Sequence, residues 1–390
     1  MSVAMFDELE QLQQSDGAAI TIERLVESLR AENDYHKLFD ALMLKQKFEM
    51  GLPLVQPTSF DDVPADQQET FEKVYVDAAR EVAGLFLEQD NLPQAWLYLK
   101  TIREPESIRA ALDAVDMKEL EDPERTEELI RIALYEGAHP VKGLEFMLRT
   151  HGTCNTITAV DQHAQQMSGE DRRQSAGLLV RELYRDLSHT LRREVEQKGI
   201  DESPGESLRE LMDNRDWLFE QGNYHIDVSH LNSVVRFARF LDSSDSELSL
   251  AMELSEYGSQ LAEQFQYPAD PPFDDFYPAH RRYFQVLLDE DRDEALAFFR
   301  QRLDSAEADD KPLIAYVTVD LLARLGQLDD AREMAGEHLK DIDEGGGLSF
   351  AELCRRTGHI DSLRQLARDR GDLVGYTAAL LEEQKRPVST

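Results

Sequence analysis

The chain has 390 residues, and 78 acidic side chains against 42 lysines and arginines give it a formal charge of -36. Binding to phosphate backbones or to anionic lipid relies on clustered Lys and Arg, so this charge argues against direct binding of nucleic acid or membranes. Hydrophobic residues make up 41% of the chain, which argues against wholesale disorder. Acidic charge favours solubility first, and it could also steer a basic partner.

The N-terminal segment and the cysteines indicate a compartment. Residues 1–8, MSVAMFDE, lack the basic and apolar regions of a secretory signal. No apolar run approaches the ~18 residues that a membrane helix needs. Two cysteines, Cys154 and Cys354, exclude a disulfide framework and leave one bridge open, although two reduced thiols are the simpler interpretation. We therefore expect a soluble cytoplasmic protein.

Helical periodicity dominates the first part of the chain. Apolar stripes predict N-terminal helices over residues 1–50. Three prolines without strand alternation predict a surface linker at 51–66. The helical period then returns and predicts an irregular helical repeat region over 67–265. Its longest predicted helix begins at Ser168, a residue type that caps helix N-termini.

A proline-rich segment separates this region from the last part of the chain. Residues 266–279 contain four prolines among aromatic residues, and proline at that density stops helices, so we expect a second linker there. Helical pairs follow over 280–386, and residues 387–390 form a tail.

An internal repeat is the most informative pattern of the C-terminal part. The small or apolar positions Ala295, Ala331 and Leu363 follow similar turn sequences and lie 36 and 32 residues apart. Periods of that length predict stacked helix–turn–helix units, because such a unit cannot bury its apolar face alone.

Residues 280–386 resemble the tetratricopeptide-like helical repeats. In the preceding unit, Phe298 and Phe299 follow Ala295, and the matching residues of the best unit are Leu322, Leu325, Gly326, Leu328, Ala331 and Ala335. The resemblance implies an α-solenoid, and members of that superfamily mostly bind peptides or other proteins in a concave groove. We therefore expect an all-α fold, an α-solenoid of stacked helical hairpins that is tetratricopeptide-like (TPR-like) in its C-terminal part.

One short cluster has the residue types of a metal site. His225, Asp227 and His230 lie within six residues, and imidazole and carboxylate groups at short spacing bind divalent metals. The simpler interpretation is that Asp227 or Ser229 caps the following helix, since known zinc spacings are not matched.

Two other groups of residues have structural interpretations. Cys154 has a histidine three residues before it, at His151, but the two share a helix face only if Gly152 does not break that helix; we expect a small buried cysteine. The pair Arg281–Arg282 could hold an acidic peptide, although neutralisation of the acidic loop Asp274–Asp275 is the simpler expectation.

The acidic residues point to the leading functional hypothesis. Residues 286–310 contain nine acids and three bases, and Asp289, Glu290, Asp291 and Asp293 are the candidate partner-binding residues. We expect a non-enzymatic scaffold or adaptor that binds a protein partner, with a basic protein as the candidate, and that has no cofactor. One alternative is a metal-binding protein or enzyme that uses the histidine cluster. Another is an acidic decoy that occupies a basic nucleic-acid-binding protein.

Overall fold

The computed structural model describes residues 3–199, 207–340 and 348–384. Every regular element within these ranges is helical, which confirms the predicted all-α class. No helix among these residues is long and apolar enough to cross a membrane. The chain divides into two compact units, residues 1–167 and 168–390.

The described residues of the first unit, 3–167, form eight α-helices. They are α1 (Val3–Ser15), α2 (Ala18–Ala31), α3 (Tyr35–Glu49), α4 (Gln68–Glu88), α5 (Leu92–Ile102), α6 (Glu106–Asp113), α7 (Pro123–Ile130) and α8 (Pro140–His163). A π-helical turn, Arg131–Tyr135, lies between α7 and α8. Helices α1 to α6 pack each against the next, as stacked hairpins do.

Local sequence signals set several helix starts in this unit. Asp34 caps α3 by accepting a hydrogen bond from the main-chain N–H of Lys37. Asn91 caps α5 in the same way, and Pro93 occupies its first turn, where a missing N–H costs nothing. These short polar side chains satisfy N–H groups that have no partner within the helix.

The predicted linker 51–66 packs against the core of the first unit. Val63 is buried in the same cluster as Phe39 and Phe71. Lys47 is completely buried, and its Nζ donates a hydrogen bond to the main-chain oxygen of Gln56 at 2.6 Å. The segment has no regular helix, as predicted, but a buried ammonium group holds it to the end of α3.

The second unit contains the remaining helices of the described residues. They are α9 (Gly169–Gln197), α10 (Leu208–Met212), α11 (Val228–Phe237), α12 (Glu247–Gln260), α13 (Phe276–Leu288), α14 (Arg292–Ser305), α15 (Lys311–Arg324), α16 (Leu328–His338), α17 (Phe350–Thr357), α18 (Ile360–Arg370) and α19 (Leu373–Gln384). From α12 to α19 each helix packs against the next. This consecutive packing confirms the predicted solenoid-type stacking of helical hairpins.

Two of the three repeat positions are buried, as expected where the helices of a hairpin meet. Ala295 in α14 and Ala331 in α16 are both completely buried, whereas Leu363 in α18 is only partly buried. Ser168 caps α9 as predicted, because its Oγ accepts a hydrogen bond from the main-chain N–H of Asp171 at 3.0 Å.

The second predicted linker differs from the structure at its C-terminal end. Helix α13 begins at Phe276, inside the segment 266–279, and Phe276 and Tyr277 are buried. Pro278 does not interrupt the helix, because it lies in the first turn, where main-chain N–H groups have no helical acceptor. The number of prolines predicts a break in the helix. The position of a proline relative to the helix start, however, decides whether the helix is interrupted.

The division into units does not coincide with a predicted linker. It falls between Met167 and Ser168, at the start of α9. The segment 200–206, which is also a candidate boundary by composition, and the predicted tail 387–390 lie outside the described residues.

Candidate interaction surface

The acidic residues predicted to bind a partner lie together on one tight turn. Helix α13 ends at Leu288, and Asp289 follows in the left-handed conformation with φ 62°. The main-chain N–H of Glu290 donates to the oxygen of Gln285 at 3.0 Å, which closes the end of the helix. Asp291 is also left-handed, with φ 47°, and α14 starts at the next residue. Asp and Asn tolerate this backbone region better than most other residues.

This acidic turn, residues 289–293, is open to solvent. Asp289, Glu290, Asp291 and Asp293 are all exposed. Its single base, Arg292, places Nη2 at 2.9 Å from Oδ1 of Asp289. Asp293 lies in the first turn of α14, where a negative charge is favourable beside the positive end of the helix dipole. The turn therefore presents a concentrated negative charge. The packed helices α13 and α14 on either side fix the backbone of the turn.

The histidine cluster is arranged differently from a metal site. Asp227 caps α11, and its Oδ1 accepts hydrogen bonds from the main-chain N–H groups of Ser229 at 2.8 Å and His230 at 3.3 Å. This confirms the predicted helix cap. The hydroxyl of Ser229 also donates to Oδ1 of Asp227, and this bond lowers the pKa of Asp227 most, because it favours the charged form; the two main-chain bonds act in the same direction.

His225 is buried and engages two residues that the sequence did not single out. The hydroxyl of Tyr257 accepts the main-chain N–H of His225 at 2.8 Å and lies 3.0 Å from its Nδ1. Because the carboxylate of Glu194 can only accept, Nε2 carries the ring proton, and in the neutral ring Nδ1 then accepts the hydroxyl hydrogen of Tyr257. Nε2 lies 2.9 Å from Oε2 of Glu194 and donates to it. Burial lowers the pKa of His225, and the carboxylate of Glu194 opposes that effect.

The structure thus brings His225 to Glu194 and Tyr257 rather than to a ligand set with Asp227 and His230. No group of three or more His, Cys, Asp or Glu side chains suited to a metal ion occurs among the described residues. Glu194 and Tyr257 are 31 and 32 residues away along the chain, and no local sequence signal links them to His225.

The prediction of a buried Cys154 is wrong, because Cys154 is exposed. Gly152 has φ 81° and ψ 174°, which interrupts α8 between His151 and Cys154. His151 instead places Nε2 at 3.1 Å from Oε1 of Glu127.

The expectation for the arginine pair is also wrong. Arg281 donates from Nε to Oε1 of Glu256 at 3.1 Å, and Arg282 donates from Nη2 to Oε1 of Glu294 at 3.0 Å. The carboxylate of Asp274 pairs with a different base, Arg302. Pairing across helices, rather than closeness in sequence, decides which acid each arginine neutralises.

The chain matches no protein-family model and no curated protein.

Proposed function

We propose that this protein is a non-enzymatic scaffold or adaptor that binds a basic protein partner through its stacked helical hairpins. The observation that carries the proposal is the acidic turn 289–293, where four exposed carboxylates lie at the junction of the packed helices α13 and α14. The proposal includes the TPR-like character of residues 280–386 and a cytoplasmic location. The burial of Ala295 and Ala331 at successive hairpins supports the repeat assignment.

The charge of the turn indicates how it would contribute to binding. Exposed charges act mainly on the rate of encounter, whereas buried contacts determine how slowly a complex dissociates. Salt screens such an effect over about 10 Å at 0.1 M ionic strength. A partner recovered on immobilised protein at low salt should therefore associate more slowly as salt rises, with a smaller change in its dissociation rate.

The decisive variant replaces Asp289, Glu290, Asp291 and Asp293 by the corresponding amides. This variant should flatten the salt dependence of the association rate, measured by surface plasmon resonance with the recovered partner. A matched control replaces four exposed acids of the first unit by amides, namely Asp61, Asp62, Asp66 and Glu69. Both variants change the net charge equally. A difference in the salt dependence of their association rates would therefore come from the local position of the turn.

Two results would overturn the proposal. If the two variants have equal salt dependence, the acidic turn is only a solvated surface. If no partner is retained by the intact protein under low salt, the scaffold role fails. A partner that binds nucleic acid, and loses that binding when this protein is added, would instead support the decoy alternative.

A further inference from the structure

The chain carries far more carboxylates than bases. Its 78 acidic residues face 42 lysines and arginines, so at least 36 carboxylates have no base to pair with, whatever the arrangement of the fold. A folded chain holds these like charges closer together than an expanded unfolded chain does. Their mutual repulsion therefore lowers the free energy of unfolding.

The ion pairs of the described residues do little to offset this repulsion. Many of them join an acid and a base three residues apart on one helix, with both side chains exposed, as in Arg80–Asp77 and Arg355–Glu352. Exposed pairs of this kind contribute little to stability, because water and salt weaken the attraction and because holding two long side chains costs entropy. The excess of carboxylates thus remains a net cost to the folded state.

Helices α14 and α16 bring part of this excess to one place. A groove of about 500 Å³ opens between α14, α15 and α16. Its lining includes four exposed carboxylates beside three basic residues, namely Asp304, Asp330, Glu333 and Glu337 with Arg300, Lys311 and His338. Nη2 of Arg300 lies 3.7 Å from Oδ2 of Asp330, which is long for an ion pair. Asp304 and Glu333 have no hydrogen bond or ion pair with any described residue.

Distance decides how much salt is needed to screen these charges. Residues three or four apart on a helix surface have Cβ atoms about 5–6 Å apart. The screening length is about 10 Å at 0.1 M ionic strength and about 3 Å at 1 M. Repulsion between neighbouring carboxylates therefore persists at physiological ionic strength and is strongly reduced only near the molar range.

We propose that the stability of this fold depends on ionic strength: cations that gather around the unpaired carboxylates screen their repulsion, so the folded state becomes more stable as salt rises to about 1 M. Screening needs no ion at a fixed position, and any monovalent cation provides it. In the groove between α14 and α16 the repulsion is local enough for a few side chains to change it. This inference does not depend on the proposed function.

Urea-induced unfolding of the full chain tests the proposal, because urea is uncharged and leaves the ionic strength unchanged. At neutral pH the unfolding midpoint should rise by about 0.5 M urea or more between about 0.05 M and 1 M KCl. NaCl at equal ionic strength should give the same rise. A midpoint that stays constant or falls would overturn the proposal. A rise with only one of the two salts would indicate a fixed ion site and would overturn it as well.

Two variants with opposite changes of charge test the groove. Asp304→Asn combined with Glu333→Gln removes two of its carboxylates with little change in helix propensity, and it should raise the midpoint at about 0.05 M KCl. Gln301→Glu adds a carboxylate at an exposed position of α14, three residues before Asp304, and it should lower the midpoint. At about 1 M KCl both variants should unfold close to the midpoint of the parent protein, because screening removes the difference.

The sign and the salt dependence of these changes separate charge from packing. If both variants shift the midpoint in the same direction, the change in charge is not the cause. If their differences from the parent protein persist unchanged in molar KCl, screening does not act on them. Either result would overturn the proposal.

Discussion

Tyr257 and His225 are joined twice by one phenolic oxygen. The hydroxyl of Tyr257 accepts the main-chain N–H of His225 and lies within hydrogen-bond distance of its Nδ1. Both residues are buried, so neither the N–H nor Nδ1 of His225 can exchange this partner for bulk water. The pair fastens the segment before α11 to helix α12.

Removal of the Tyr257 hydroxyl should destabilise the second unit. Tyr257→Phe leaves a buried main-chain N–H without its acceptor, and such a loss typically costs about 1–3 kcal/mol. The measurement is urea-induced unfolding followed by circular dichroism. The control Tyr224→Phe removes a hydroxyl from a side chain that is 51% exposed, and its unfolding midpoint should stay at that of the parent protein. Equal midpoints for both variants would contradict the role assigned to the Tyr257 hydroxyl.

The histidine cluster also gives a test by metal analysis. Because His225 directs its ring nitrogens to Glu194 and Tyr257, we expect bound zinc and iron at background in the purified protein. The variant His225→Ala with His230→Ala should give the same background. Stoichiometric metal in the parent protein that disappears in the variant would favour the metal-site alternative instead.

Protonation of His280 should set part of the pH dependence of stability. Burial lowers the pKa of His280 to about 3, and the positive charge of Arg239 acts in the same direction. Its Nδ1 lies 2.7 Å from the main-chain oxygen of Phe276, and its Nε2 is buried without a hydrogen-bond partner. The ordinary value is 6.5, so below that pH the unfolded chain binds a proton that the folded chain does not. Stability is therefore fully present above pH 6.5 and falls as the pH falls towards 3.

His280→Phe tests this dependence. The variant keeps a ring against Phe273, whose centroid lies 4.2 Å from that of His280. Between about pH 5 and 6.5 its free energy of unfolding should depend less steeply on pH, by up to about 1.4 kcal/mol per pH unit at the lower end of this window. His189→Phe changes an exposed histidine and should keep the slope of the parent protein. An unchanged slope in His280→Phe would show that another group titrates in this window.

Local signals allowed several features of the fold to be predicted. The caps at Ser168 and Asp227 follow from side-chain oxygens placed just before apolar helical stripes, and the structure confirms both. Stacked hairpins follow from the spacing of Ala295 and Ala331. The caps depend on residues close together in sequence, and the hairpins follow from a pattern that the sequence repeats.

Features that depend on distant residues could not be predicted in this way. The bond between His225 and Glu194 spans 31 residues, and the sequence around either residue gives no indication that it contacts the other. The exposure of Cys154 depends on the backbone of Gly152, because its positive φ ends the regular helical face. The start of α13 at Phe276 could not be placed from composition either, because Pro278 lies in the first turn, where it does not interrupt a helix.

Ala331 should not accept a large side chain. It is completely buried where α16 packs against α15, so Ala331→Trp would overpack that contact at a typical cost of about 1–3 kcal/mol. Thermal unfolding should show a clear decrease in melting temperature. Glu333→Trp introduces the same ring at an exposed position of α16 and should melt close to the parent protein. If both variants melt alike, the two helices do not meet at Ala331 as described.

Two helical glycines should respond to alanine in opposite directions. At Gly258 in α12, an added Cβ would come within 2.3 Å of the ring of Tyr277, which is completely buried and bonded to Asn232. Neither the ring nor the helix can move without disturbing that contact, so Gly258→Ala should destabilise the protein by about 1–3 kcal/mol. At Gly177 in α9, the nearest atom is 3.5 Å away on the flexible side chain of Arg181.

Gly177→Ala should therefore be tolerated, and it should raise stability by up to about 1 kcal/mol, because alanine loses less conformational entropy than glycine in a helix. Urea titrations of both variants beside the parent protein make the comparison. The expected order of midpoints is Gly177→Ala at or above the parent, and Gly258→Ala clearly below it. If Gly258→Ala unfolds at the midpoint of the parent protein, α12 and α13 are not packed as closely as the position of Tyr277 requires.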